Sequence, residues 1–304
     1  MKRIVALFMI LTLALSLLVS CGGKNKEKDY TLAIGVSVAI SDAEVSNTVA
    51  AIVTDADGKI VLCRIDAINV EPTMKDGKVD ETVTYASKAE LKDNYNMVKY
   101  GKAIAEWYVQ AKAFENYVVG KTQSEVSAIA LNGDGKPTDT ELSASCTIAV
   151  SDFTEAIDKA FESAHKVSFK TAADLTAGVA VSADVSQAES EASYTANFAA
   201  TVFADGKIVA AIIDENEATA TVANGAVGEV SYDMTKLEKG DAYNMVKYGG
   251  AIAEWYVQAQ TYANTAVGKN ASELASLATE GVAGCTMGVE DYKATLEKAA
   301  EYNR

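Results

Sequence analysis

One histidine, His165, serves the whole chain. Hydrolytic sites of the Ser–His or Cys–His kind need that base, and no spacing of zinc ligands is present either. Basic residues are also short: 27 lysines and arginines stand against 42 aspartates and glutamates, a formal net charge of −15. Nucleic-acid binding requires a basic face to neutralise phosphates, so this balance excludes it. It also opposes adsorption of the polypeptide itself on anionic lipid. Two prolines, Pro72 and Pro137, leave no Pro-rich stalk. Cysteine is sparse too, with Cys63, Cys146 and Cys285 beyond a fourth near the start, Cys21. An odd number of thiols outside the cytoplasm does not build a disulfide framework. Cys146 and Cys285 read as small buried apolar residues, with a Cys63–Cys146 bridge left open.

What is present starts with a leader. Met1-Lys2-Arg3 is followed by an apolar run over 4–19, broken only by Thr12 and Ser16. A basic start and about 16 apolar residues make a secretory signal, too short for a stable spanning helix. It closes on Leu18-Val19-Ser20-Cys21-Gly22, which resembles a bacterial lipobox. The expectation is a signal peptide over 1–20, acylation of Cys21, and a polar tether over 21–29. The mature chain then sits on the extracytoplasmic face of the membrane; taken whole, the sequence also resembles tandem-domain lipoproteins of Gram-positive bacteria, which implies a cell surface of that type. Acyl chains contribute roughly 0.8 kcal/mol per buried methylene, enough for several of them to hold it there.

The rest of the chain is organised by a repeat. Residues 95–111 read YNMVKYGKAIAEWYVQA and residues 243–259 read YNMVKYGGAIAEWYVQA, differing only at Lys102 and Gly250. Near-identity over 17 positions at an offset of 148 is a duplication. The spacing predicts two homologous tandem domains, at 30–165 and 170–304, each of a size to bury its own core.

Within the first copy, 31–39, 47–54, 60–66 and 79–85 read as strands, punctuated by turns at Asp55–Lys59 and Asp76-Gly77-Lys78. The second copy repeats this at 195–203, 208–213 and 227–232, with turns at Asp205-Gly206-Lys207 and Asn224-Gly225. Met97, Tyr100, Ile104, Trp107, Tyr108 and Ala111 recur at helical steps and predict one helix with a shared apolar face. Trp107 and Trp255 on that stripe are candidates for ring stacking, against the alternative that they are core. A second helical segment ends at Gly120, and each copy closes with an amphipathic helix, to about Ser163 and Tyr302. The segment 164–174 reads as a connection and the acidic, Ser-rich 182–193 as a surface loop. The expected class is α+β, each domain a twisted antiparallel sheet with helices on one side.

Just before each closing helix lies a small motif, Glu141-Leu142-Ser143-Ala144-Ser145-Cys146-Thr147 and Glu280-Gly281-Val282-Ala283-Gly284-Cys285-Thr286. It resembles the attachment motif of the FMN-binding domain family, Asp-x-x-Ser-Gly-Ala-Thr, in which flavin is joined to the threonine through its phosphate. The resemblance places Thr147 and Thr286 at the flavin-bearing position, Cys146 and Cys285 beside them, and Gly284 at the family glycine. It implies FMN as a covalent cofactor, a flavin transferase or redox partner, and an electron-transfer role rather than enzymatic turnover. A threonine ahead of a helix can hold phosphate against free N–H groups, and a glycine allows close approach. The alternative is a flavin-free module that binds a small molecule or a cell-envelope partner.

Overall fold

Turn chemistry lays out the strands. Asp76-Gly77, Asp205-Gly206 and Asn224-Gly225 each hold two successive residues at φ between 49° and 79°, the backbone of a two-residue hairpin turn. At the Asp55 turn the carboxylate accepts from the N–H groups of Asp57 and Lys59 at 3.0 and 2.9 Å. The computed structural model describes residues 26–304, so the leader and Cys21 lie outside the described residues.

The strands are β1 (Lys28–Ser41), β2 (Glu44–Asp55), β3 (Ile60–Val70), β4 (Met74–Lys75), β5 (Lys78–Val79), β6 (Val167–Thr171), β7 (Leu175–Ala188), β8 (Glu191–Ala204), β9 (Lys207–Ala223) and β10 (Ala226–Tyr232). They form two four-stranded antiparallel sheets, ordered β3-β2-β1-β6 and β10-β9-β8-β7, with β4 and β5 a separate small hairpin. The longer helices are α1 (Trp107–Val118), α2 (Ser151–Glu162), α3 (Trp255–Ala263) and α4 (Glu290–Glu301). The class is α+β. No helix among the described residues is long and apolar enough to cross a membrane.

Strand alternation fixes the layers. Along β1, Leu32, Ile34 and Val36 face one way and Ala33 and Gly35 the other. The first set, with Val49, Ala51 and Val53, shares one core with the second sheet. The opposite face, including Ala33, Ile52, Cys63 and Ile65, is covered by α1 and α2. On the second sheet α4 lies over β7 and β8, and α3 over β9. The order is therefore helix, sheet, sheet, helix. Each sheet does carry helices on one side; its other side is the partner sheet. The closing helices come very near: a Cβ on Gly35 would stand 2.3 Å from the Ala156 carbonyl oxygen, and one on Gly178 would stand 1.9 Å from that of Ala299.

Four sequence expectations are corrected. The stretch 182–193 is no loop: it is the end of β7 and the start of β8, turning at Glu189 and Ser190. Val185, Ala192 and Tyr194 are buried between polar neighbours, so a period of two is hidden by acidic composition. The connection 164–174 contains β6, which pairs with β1 and stacks Phe169 on Tyr30 at 5.6 Å between centroids. The first sheet thus runs to Thr171, beyond the 165 boundary. Of 79–85 only Val79 is strand, because Pro72 follows the end of β3 and cannot donate to a continuing ladder. In the second half β9 continues to Ala223 and pairs with β10. The single helix over 97–111 is broken, for the reason given next.

Candidate functional site

The repeated segment folds into a closed loop ahead of α1 and of α3. Asn96 and Asn244 take left-handed backbone, at φ 58° and 56°, and start the short helices Met97–Gly101 and Met245–Gly249. Lys102 and Gly250, at φ 53° and 63°, end them. The one sequence difference therefore falls where a left-handed conformation is needed, and glycine meets that need most easily. The loop is then laced from inside. Glu106 accepts from the N–H groups of Met97 and Val98 at 2.8 and 3.1 Å, and Glu254 repeats this with Met245 and Val246 at 2.8 and 3.3 Å. Tyr108 donates to Asp93 at 3.2 Å, and Tyr256 to Asp241 at 3.1 Å.

What the loops turn outward is apolar. Val98, Tyr100 and Ile104 are 45, 74 and 57 % exposed; Val246, Tyr248 and Ile252 are 43, 77 and 62 % exposed. Lys99 lies 4.8 Å from the Tyr100 ring centroid, and Lys247 the same distance from Tyr248. No acidic residue occurs in 96–105 or 244–253, although the chain as a whole is acidic. The helical stripe expected from the sequence mixed these residues with core positions. The intervening left-handed breaks rotate Tyr100, Ile104, Tyr248 and Ile252 to the surface.

Trp107 and Trp255, the ring-stacking candidates, are 4 % and 2 % exposed, so neither indole offers an open face. Each packs edge-on against an aromatic ring of the closing helix, Phe153 at 5.8 Å and Tyr292 at 6.0 Å. The second half adds charge here. Tyr292 donates to Glu215 and accepts from the Trp255 indole N–H at 3.2 Å, and Lys236 pairs with Glu215 at 2.6 Å. Burial works against the Lys236 ammonium, but the Glu215 carboxylate outweighs it and holds the pKa above the ordinary lysine value. The first half meets the same need with Ala67 and Phe153.

The motif threonines are committed to two buried glutamines. Gln110 Oε1 accepts from the Thr147 N–H at 2.8 Å and its hydroxyl at 3.1 Å; Gln258 does the same for Thr286 at 2.8 and 3.2 Å. The glutamine amides donate back to the carbonyls of Ala105 and Ala253 at 2.7 and 2.8 Å. The motif therefore clamps the repeated loop to the closing helix. Gln110 and Gln258 escaped the sequence reading. Their only signal is a polar residue recurring on the apolar stripe.

A flavin phosphate finds little to hold it at either threonine. Thr286 is exposed beside a cavity of about 280 Å³ lined by Glu280 and Glu290 and by no lysine or arginine. Glu290 already accepts from the Val289 N–H at 3.1 Å at the start of α4, where a phosphate would bind. Gly284, at φ 82°, serves the turn. Thr147 is half-buried, four residues ahead of α2. Cys63, Cys146 and Cys285 are free and buried, and burial pushes the Cys146 thiol up to about 11.

Two further buried acids occupy equivalent places. Asp66 accepts from the N–H groups of Ala67 and Ala89 at 2.7 and 3.1 Å, and Asp214 from those of Glu215 and Leu237 at 2.7 and 2.9 Å. Burial raises both carboxyls to about 7, against the lowering effect of these hydrogen bonds. His165 is half-buried, its ring 4.1 Å from that of Tyr256, and burial lowers its pKa.

No protein-family model matches the chain, and neither the curated proteins nor the solved structures contain a significant match.

Proposed function

We propose that the chain is an extracytoplasmic lipoprotein, tethered through acyl chains on Cys21, whose two homologous domains bind a cell-envelope partner and carry no flavin. The carrying observation is the repeated loop. Its inward residues are tied up in holding its shape, yet Val98, Tyr100 and Ile104 face outward and recur unchanged as Val246, Tyr248 and Ile252. Internal packing does not require such identity, whereas recognition of one partner surface by both loops does. Lys99, Lys102 and Lys247, without acidic neighbours in the loop, favour a partner face that is apolar with an acidic rim.

The flavin carrier implied by the threonine motif is the competing reading, favoured by the exposure of Thr286. The glutamine clamp and the carboxylates around that residue weigh against it.

A photo-crosslinking residue placed at Tyr100 or at Tyr248 in cells of the native host tests the reading. The same adduct should form from both positions, and a Tyr100→Ser, Tyr248→Ser double variant should fold normally and compete for neither. Different adducts from the two positions, or none from either, would contradict it.

A further inference from the structure

The two halves differ at one place in a way that identifies an occupant. The closing helices α2 and α4 end alike, at Glu162 and Glu301. Each reaches across to the other half through a matching ion pair, Lys159–Glu238 at 3.1 Å and Lys298–Glu90 at 2.9 Å. The next residue in each case donates its N–H to the carbonyl four back, Ser163 to Lys159 at 2.9 Å and Tyr302 to Lys298 at 3.1 Å. Ser163 and Tyr302 therefore hold equivalent positions, with a small side chain in one and a phenol ring in the other.

The consequences beneath them differ. Tyr302 packs into the shared core, and burial together with the charges of Glu90 and Asp66 pushes its hydroxyl up to about 12. Under that side Asp66 Oδ2 is sealed with no hydrogen-bond partner. On the Ser163 side the cavity is larger and reaches the buried acid: about 270 Å³ with Asp214 in its lining, against about 190 Å³ beside Tyr302 without Asp66. Ile34, Val36, Met234 and Leu237 wall it, together with Lys159 and Glu238, which pair with each other, Glu162, and Asp214, which is 2 % exposed. The volume falls just below the roughly 300–1,000 Å³ of drug-sized sites and suits a single ring. Apolar walls with a few polar groups are the usual make-up of a small-molecule site, and here Lys159 and Glu238 already satisfy each other.

We infer that this cavity binds a small, uncharged, single-ring phenol, which takes the place that the Tyr302 side chain fills in the other half. The apolar residues cover the ring, and Asp214 is the acceptor available to its hydroxyl. This site lies away from the repeated loops, so its failure leaves the docking proposal standing and the converse also holds.

The probe is 4-methylphenol, which is the tyrosine side chain as a free molecule. Titration of the full mature chain by calorimetry should give one equivalent bound, with an upfield ring-current shift of the Met234 methyl signal. Ser163→Tyr should abolish both by filling the cavity from within. Tyr302→Ser should open the equivalent space over Asp66 and add a second equivalent. No saturable binding, or binding that Ser163→Tyr leaves unchanged, overturns the inference. If Ser163→Tyr does not fold, the Tyr302→Ser stoichiometry decides: two equivalents support it and one overturns it.

Discussion

Asp66 and Asp214 sit in the interior because each supplies an acceptor to the start of a short helical turn, Lys88–Leu91 and Lys236–Lys239, that leads into a repeated loop. Their folded pKa values, about 7, lie above those of an exposed aspartate. The folded chain therefore binds these protons more tightly than the unfolded chain does. Their contribution to stability is full below about pH 4 and is lost as pH rises to about 7. Asn at position 66 keeps the acceptor oxygen and removes the titration. The difference in melting temperature between Asp66→Asn and the parent should thus grow in favour of the variant from about pH 4 to about pH 7 and level off above. A difference independent of pH would show that Asp66 is ionised in the folded protein. Both acids stand out in the sequence as acidic residues in otherwise apolar strands. Their burial does not, because it depends on loops that return some twenty residues later.

At the scale of elements, the strands around Asp205-Gly206 and Asn224-Gly225 were legible, as was the antiparallel class, since those dipeptides specify left-handed turn backbone by themselves; the Asp76-Gly77 turn was legible too, but not how short its strands are. Stretches whose alternation is masked were not: the end of β7 and the first residues of β8 read as polar because Ser182, Asp184, Glu189 and Glu191 surround Val185 and Ala192, although 195–203 within β8 was legible. The repeated segment misled in the opposite direction. Its apolar spacing is helical, while Asn96, Lys102 and their counterparts break the helix at backbone positions that periodicity cannot register. The seat of each closing helix has a sharper determinant. Gly35 lets α2 rest on β1, so Gly35→Ala should force the helix outward and cost roughly 1–3 kcal/mol, as overpacking does. Chemical denaturation measures this, and an unchanged midpoint would mean that α2 is not held against β1 at that point.

Over the whole molecule, the repeated stretch was plain in the sequence, whereas the joining of the two sheets was not, since nothing in one half says that the free face of its sheet meets the other. The halves are also tied by charge. Arg304, which pairs with Ala177 beside β7, reaches Glu115 of α1 at 2.6 Å, and Arg64 of β3 donates to the Ala177 carbonyl at 2.9 Å. Glu115 is 1 % exposed and also accepts from the Ile65 N–H at 2.9 Å. Glu115→Ala would leave that N–H unpaired, while Arg304, 36 % exposed, can turn to water; the cost should be about 1–3 kcal/mol. The loss should appear in one cooperative unfolding transition that includes both halves. Two separate transitions would show that the shared core does not couple them. As proposed, the protein is a lipid-tethered, flavin-free binding protein, and the intact mass of the mature chain from its native host tests that most directly. The expected mass is that of a chain that begins at an acylated Cys21 and carries no flavin phosphate, from cells that flavinylate other proteins. A flavin phosphate mapped to the peptide containing Thr286 or Thr147 would contradict it and make the protein an electron carrier.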